Sequence, residues 1–454
     1  MSMTADLIIR NATLVDAGGL VADSWVAVDS GLVVATGTGT PGFRATETFD
    51  AGGAMLFPGL IDSHVHFREP GLEQKATIAS ESRAALAGGI TSYLEMPNTK
   101  PPTLTADALA DKYLRAAARS AANYGFFLGA MATTASELRL VPRHRLPALK
   151  LFMGATTGAV STPPPAALEE IFRICSAEDI VVMVHAEDDA IIAAEAAKAI
   201  IRFGSRENVP VGMHRTIRSR EACVTASSRA VELATRHNTR LHIAHVSTAE
   251  EVERFLRAGS PEAKRITAET TPLYLDPQFD EAALSTGRLK VNPAIKGSDD
   301  AEALRHAVDA GLIDTIATDH APHLPADKEG GALTAASGAP SVQFALPVML
   351  GYLSPQTICR AMACNPAGIF GIRRCGRIAP GYVADFTLVE TAEPYTITDS
   401  HVVSPCGWTP FAGRTVSHKV ASVWLAGRMA YDRGTFTGAA PRELEFGKPW
   451  PAVV

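Results

Sequence analysis

The sequence predicts a (β/α)8 barrel, a TIM-barrel fold of the α/β class, joined to a small β-sandwich that both chain termini build together. Three observations predict it. Eight short apolar runs recur through the middle of the chain, at 54–66, 91–97, 124–131, 148–153, 180–187, 240–247, 265–271 and 313–320. Ala-rich stretches with helical spacing separate most of them, among them ASESRAALAGG, ADALADKYLRAAARSAA, EACVTASSRAVELATRH and DDAEALRHAVDAG. Apolar strands alternating with helices make a parallel sheet, and eight such units close it into a barrel. The two ends read differently: DLIIRNATLVDAGG near the start and KVASVWLAGRMAYDRG near the end are strand-like segments broken by turns. That pattern fits an antiparallel sheet or sandwich. The predicted division is a composite β-sandwich from 1–53 and 376–454 flanking a barrel from 54–375. Residues 187–222 fit neither pattern cleanly, with AAEAAKAII helical and FGSRENVPVGMHRTIRS a long excursion.

Composition narrows the class further. The 454 residues are 46% hydrophobic and 20% charged, the balance of an ordinary globular protein. A disordered chain, a collagen and a disulfide scaffold are excluded. With 42 Lys+Arg against 48 Asp+Glu the net charge is −6, so neither nucleic acid nor an anionic membrane is an expected partner. The six cysteines form no CxxC pair and read as reduced thiols. The start, MSMTADLIIRNATLVD, lacks the basic region of a signal peptide, and no run reaches the ~18 apolar residues of a membrane span. The expectation is a cytoplasmic protein acting on a small molecule.

Chemistry concentrates where the strands end. His64 and His66 stand two apart on an apolar strand, so their side chains project the same way. One such pair in a chain with 13 histidines carries little weight alone. Lys150, however, lies in the fourth run, His185 ends the fifth, His245 the sixth and Asp319 the eighth. A parallel barrel brings these strand ends to one rim, and core packing does not account for five strands each delivering a ligand-capable residue. Four imidazoles and a carboxylate suit Zn2+, with Mn2+ or Co2+ as substitutes. Lys150 alone would read as a lysine stretching to solvent. Beside two cations an ammonium is repelled, but a buried lysine can shed its proton and react with CO2. The carbamate so formed is a two-oxygen bridge. The expected cofactor is therefore a pair of divalent ions bridged by carboxylated Lys150. Such ions acidify a shared water, and Asp319 is placed to carry its proton to a departing nitrogen. That chemistry is amide hydrolysis or its reverse. The stretch GATTG at 154–158 lacks the spacing of a phosphate loop and reads as a turn.

The strings GLIDSHVHFREPG, ALKLFMGATTG, VMVHAE, LHIAHVST and IATDHAPH together resemble the cyclic-amide branch of the amidohydrolase superfamily, and within it the dihydroorotase group. The resemblance runs over nearly the whole chain. It implies that His64, His66 and Asp319 hold the more buried metal, that His185 and His245 hold the other, and that Lys150 bridges them. Arg68 leaves the strand on the side of His66 and offers a planar fork to a carboxylate. The resemblance implies that Arg68, Asn98 of MPNTKP and His323 of APH clamp a ring carboxylate. It further implies that Asn292 of VNPAIKG contacts the ring amide, with the backbone of 338–340 against the ring. The implied reaction is the reversible cyclisation of N-carbamoyl-L-aspartate to L-dihydroorotate in pyrimidine biosynthesis.

Two other readings share parts of this pattern. An allantoinase or a dihydropyrimidinase-type hydantoinase would keep every metal ligand and differ in the clamp. A non-catalytic relative that partners aspartate transcarbamoylase would be expected to have lost a ligand, whereas all six positions are filled. A homodimer is common among relatives. Departures exist too: many bacterial dihydroorotases carry an Asp where Lys150 stands, and NPAIK replaces the frequent NPPLR, so Lys296 receives no role. The Gly/Ala-rich loop 324–338 reads as a mobile lid. His320 and Trp408 read as packing residues, and alternation puts His242 on the opposite strand face from His245.

Overall fold

The computed structural model describes residues 4–42, 44–154, 162–261, 263–279 and 281–447. The chain begins with β1 (Thr4–Asp16), β2 (Gly19–Asp29), β3 (Leu32–Thr38), β4 (Arg44–Asp50) and β5 (Met55–Pro58). Nine strands then form the barrel wall: β6 (Leu60–Val65), β7 (Ile90–Glu95), β8 (Asn123–Phe126), β9 (Leu128–Gly129), β10 (Leu149–Phe152), β11 (Val182–His185), β12 (Leu241–Ile243), β13 (Ile266–Thr270) and β14 (Thr315–Ile316). After the last barrel helices come β15 (Phe386–Thr396), β16 (Thr415–Leu425), β17 (Arg428–Asp432) and β18 (Thr435–Phe436).

The terminal strands form one sheet in the order β18-β17-β16-β15-β5-β1-β2-β3, with β4 also paired to β1. Strand β1 slips register between Ile9 and Ala12 and again before Leu14. Across that stretch its other neighbour changes from β4 to β5. Such bulges sharpen the bend of a strand. The two halves of the sheet share one core, where Leu7, Ile9, Val26 and Val28 meet Phe386, Leu388 and Trp424. A β domain built from both ends of the chain is the result, one sheet around a shared core.

The barrel contains each of the eight apolar runs as one stave, all parallel. Strands β8 and β9 are two pieces of the third stave. The ring closes through a Val65–His320 bridge, with the His66 N–H donating to the His320 carbonyl at 2.7 Å. Buried on both faces, these strands read as continuous apolar runs rather than alternating ones. Leu94, Phe127, Ala148, Val181, Met183 and Ala244 form an interior cluster with Ile369, Phe370, Leu444 and Phe446. The outer helices start where hydroxyl side chains satisfy the first free N–H groups: Thr77 before Ile78–Ala87, Thr105 before Ala106–Arg119, Ser219 before Arg220–His237 and Thr248 before Ala249–Phe255. The helix Arg220–His237 buries Ala222, Ala226, Ala230 and Leu233, a stripe at helical spacing. The unclear segment before it holds a helix, Asp189–Phe203, that ends at Gly204 with φ 83°, followed by two single turns. The GATTG stretch beyond Gly154 lies outside the described residues.

Among the described residues no helix is long and apolar enough to cross a membrane. All six cysteines are free thiols.

Candidate metal centre and active site

The rim residues converge on Asp319. Its Oδ1 lies 3.0 Å from His66 Nε2 and 3.5 Å from His64 Nε2. Among the described residues these three form a group able to hold a metal ion, with donor atoms all within 4.8 Å of one another. Simple alternation does not deliver the two histidines, because β6 slips register between Asp62 and Val65 and His66 lies past its end. Asp319 and His245 also sit beyond their strands, in the left-handed region at φ 47° and 41°. Few non-glycine residues adopt that conformation, and where they do it commonly marks function.

Each of the first two rings is oriented from behind. His64 Nδ1 is 2.7 Å from Glu269 Oε1, and His66 Nδ1 is 2.8 Å from Asn98 Oδ1. An acceptor at Nδ1 puts the proton there and leaves the Nε2 lone pair for a metal. Burial pushes both imidazoles below their usual range, His64 far below, so they stay neutral as ligands must be. Burial alone would raise the Asp319 carboxyl, but His64, His66 and Lys150 outweigh it and hold the group below its ordinary value.

The other candidate ligands adjoin this trio. The amine of Lys150, on β10, is 3.5 Å from His64 Nε2. His64 and His245 have ring centroids 5.4 Å apart, and His245 and His185 4.7 Å apart. His185 Nδ1 and His245 Nε2 turn toward one another across 2.9 Å, while the buried His245 Nδ1 has no hydrogen-bond partner. Glu187 Oε2, itself held by Arg218, stands 3.1 Å from His185 Nε2. Burial lowers the Lys150 ammonium to about 8, against the opposing pull of Glu269 and Asp319. Converging neutral imidazole nitrogens, an ionised carboxylate and a readily neutralised amine fit a divalent metal centre.

Beside the trio opens a cleft lined by His66, Arg68, Asn98, Asn292, Asp319, Ala321, Ser337 and Gly338. A larger one borders Tyr395, His401 and Lys419 and shares no residue with these. The smaller is the one that meets the candidate ligands. Arg68 is buried, with φ 72°, and donates from Nε to the Pro322 carbonyl at 3.0 Å. Among the described residues it has no carboxylate within 4 Å. Burial lowers this guanidinium to about 10. Asn292 also carries a buried Oδ1 without a hydrogen-bond partner. His323 does not line the cleft. It stands behind Arg68 and Ser337, with Nε2 3.0 Å from the Arg68 guanidinium and 3.0 Å from the Ser337 carbonyl.

The loop expected to be a mobile lid is anchored. The buried Lys328 ammonium donates to the carbonyls of Lys290, Ala336 and Gly338, and Lys290 Nζ donates to Ala335 O and Ser337 Oγ. Neither lysine has a carboxylate within 4 Å among the described residues, and burial lowers Lys328 to about 7 and Lys290 to about 8. Trp408, expected only to pack, donates from its indole N–H to the His323 carbonyl at 2.7 Å. His320 does pack, pairing with Glu81 at 2.7 Å.

His242 differs from expectation. It shares the interior side with Thr267, 2.9 Å away, and lies 3.8 Å from Glu269. The left-handed turn at His245 breaks the alternation, so both rings end up inside the barrel. Glu269, Lys75, Lys328 and Trp408 were not found in the sequence as site residues. For Glu269 a signal existed, a lone acid inside the buried strand RITAETT.

Gly71 holds the Arg68 loop against the segment that carries Asn98. At φ 86°, a Cβ added there would fall 1.8 Å from the Lys100 carbonyl. Gly71→Ala is expected to lower stability by about 2–4 kcal/mol, combining backbone strain with a forced shift. Denaturant unfolding checks this, and an unchanged midpoint would contradict the packing described.

Side chains of these kinds at the mouth of an eight-stranded parallel barrel define a class, the barrel hydrolases that work through divalent metal. The chain belongs to the amidohydrolase family, whose model matches residues 55–430, and members of this family generally bind divalent metals. It is 36% identical over 414 residues to a dihydroorotase of Halobacterium salinarum, covering 89% of this chain and 92% of that one. A dihydroorotase of Pelobacter propionicus is 34% identical over 439 residues, covering 94% of this chain and 100% of the relative. Among solved structures, the L-hydantoinase (dihydropyrimidinase) from Arthrobacter aurescens superimposes with a TM-score of 0.89 at 28% identity, covering 97% of this chain and 100% of that one.

Proposed function

We propose that this hydrolase is a dihydroorotase, interconverting N-carbamoyl-L-aspartate and L-dihydroorotate. The observation that carries the reading is Arg68, a buried guanidinium with no carboxylate within 4 Å among the described residues, opening on the cleft beside Asp319. A buried unmatched cation at a cleft wall is a site for an anion. Dihydroorotate supplies one through its ring carboxylate, whereas hydantoin and dihydrouracil rings carry none. The similarity to two dihydroorotases above 30% identity supports the same choice.

A hydantoinase is the second reading, favoured by the overlap with the L-hydantoinase structure. It leaves the charge on Arg68 without a function.

In this reading His64, His66 and Asp319 would hold one divalent ion and His185 and His245 a second, and Lys150, once carboxylated, would serve as a ligand to both. Zn2+ suits the donor set. Bound there, the ions would supply Lewis-acid polarisation of the amide carbonyl and would acidify water at neutral pH. The chain supplies the rest. Burial weakens the hold of Lys150 on its proton, so a larger share of it is the neutral amine that reacts with CO2. Arg68 and Asn98 bind the ring carboxylate, with His323 bracing Arg68 from behind, and Asn292 and the Gly338 backbone face the ring. Asp319 accepts a proton from the attacking water and passes it to the departing ring nitrogen. In cyclisation the same carboxylate takes that proton back.

Chelation is expected to abolish ring opening of dihydroorotate, followed in the ultraviolet, and added Zn2+ to restore it. Metal analysis of the active protein is expected to find two ions per chain. Full activity after complete chelation would refute the metal mechanism.

A further inference from the structure

Lys75 touches the anion clamp from outside the cleft. Its ammonium is 3.0 Å from His323 Nδ1 and 3.1 Å from Asp327 Oδ2. His323 thus meets three groups: Lys75 at Nδ1, and the Arg68 guanidinium and Ser337 carbonyl at Nε2. Lysine and arginine only donate, and a carbonyl only accepts. The three contacts cannot all be hydrogen bonds, because the ring would then need no proton on Nε2 for Arg68 and one there for Ser337. Burial, reinforced by Arg68, Lys75 and Lys328, pushes the imidazolium far below its usual range, so the ring is neutral and carries one proton.

Two tautomers remain. With the proton on Nδ1, that N–H would oppose the Lys75 ammonium and the Ser337 carbonyl would face a lone pair. With the proton on Nε2, both Lys75 and Ser337 are satisfied. Only Arg68 then lacks its partner at this contact. The Arg68 N–H then faces His323 Nε2–H across 3.0 Å with no acceptor there, and Arg68 is the one of the two that lines the cleft. An incoming anion supplies the acceptor that Arg68 lacks.

We propose that Lys75 is a positioning residue that fixes His323 as the Nε2–H tautomer, which donates to the Ser337 carbonyl and leaves the facing Arg68 N–H free for the substrate carboxylate. The assignment deepens the dihydroorotase reading and rests on it for the identity of the anion. Asp327 explains why Lys75 is needed. Its Oδ2 is 3.7 Å from His323 Nδ1 and also receives the Leu324 N–H. Without Lys75 this carboxylate becomes the nearest partner of Nδ1 and draws the proton there, turning Nε2 into an acceptor that engages the Arg68 N–H and withholds it from the substrate.

The test uses metal-loaded full-length protein with nitrogen-labelled histidine. Long-range proton–nitrogen NMR spectra report which ring nitrogen is protonated, with His323 identified by its loss in His323→Gln. The wild type is expected to show Nε2–H, and Lys75→Met to show Nδ1–H. In kinetics, Lys75→Met is expected to raise KM for dihydroorotate roughly tenfold, the worth of one hydrogen bond to a charged group, with kcat nearly unchanged. Lys75→Arg, still a pure donor, restores both. A wild-type Nδ1–H tautomer, or an unchanged tautomer in Lys75→Met, overturns the proposal, and neither result depends on the variant's activity. If the wild type shows Nε2–H but does not turn over dihydroorotate, the tautomer assignment stands and the substrate reading falls.

Discussion

Asparagine in place of Asp319 is expected to lower kcat by roughly 10²–10⁴-fold in both reaction directions, the range a positioned general acid–base group contributes. The geometry gives the reason. Asp319 Oδ1 is the atom on which His64 and His66 converge, at 3.5 and 3.0 Å, so the carboxylate is both a candidate ligand and the nearest base to the cleft. Its carboxyl is held below its ordinary value despite burial, so it is ionised and ready to accept a proton. Asparagine keeps an oxygen in the same place but cannot carry that proton. Metal analysis alongside kcat separates the two roles. A variant that retains its metal and loses turnover fits the proton-carrier role. A variant within about tenfold of wild type would exclude it.

Arg68→Met is expected to cost about 2–5 kcal/mol in binding the substrate carboxylate, a fall in kcat/KM of roughly 30- to several-thousand-fold. Methionine preserves much of the buried volume and removes the charge. Metal content is expected to stay intact, because Arg68 donates to Pro322 O and adjoins His323 without touching His64 or Asp319 at hydrogen-bond range. Steady-state kinetics on dihydroorotate, with metal analysis of the same sample, checks both halves. Unchanged kcat/KM would remove the observation on which the substrate choice rests.

Much of this was legible in the sequence for a physical reason. Barrel strands are buried on both faces, so each appears as a short apolar run, and all eight occupy the expected places. Their polar exceptions then stand out, which is how His64, Lys150, His185, His245 and Asp319 were picked out. The backbone detail was not legible. The left-handed turns at His245 and Asp319 and the slip in β6 decide which way each ring points, and they led the strand pattern to misplace His242. Contacts that exist only after the barrel closes were also hidden. Glu269 supports His64 from 205 residues away, and Trp408 holds His323 across 85. The 324–338 loop read as mobile from its Gly and Ala content. The two buried lysines that anchor it acquire their meaning only from carbonyls brought near by the fold.

The central claim is that an unmatched guanidinium selects a cyclic amide bearing a carboxylate. Its most direct test is a side-by-side measurement of kcat/KM for dihydroorotate, dihydrouracil, hydantoin and allantoin by the metal-loaded wild-type protein. The account predicts that dihydroorotate leads by at least about 100-fold, the worth of a buried charge pair. Preference for any of the three uncharged rings would contradict it.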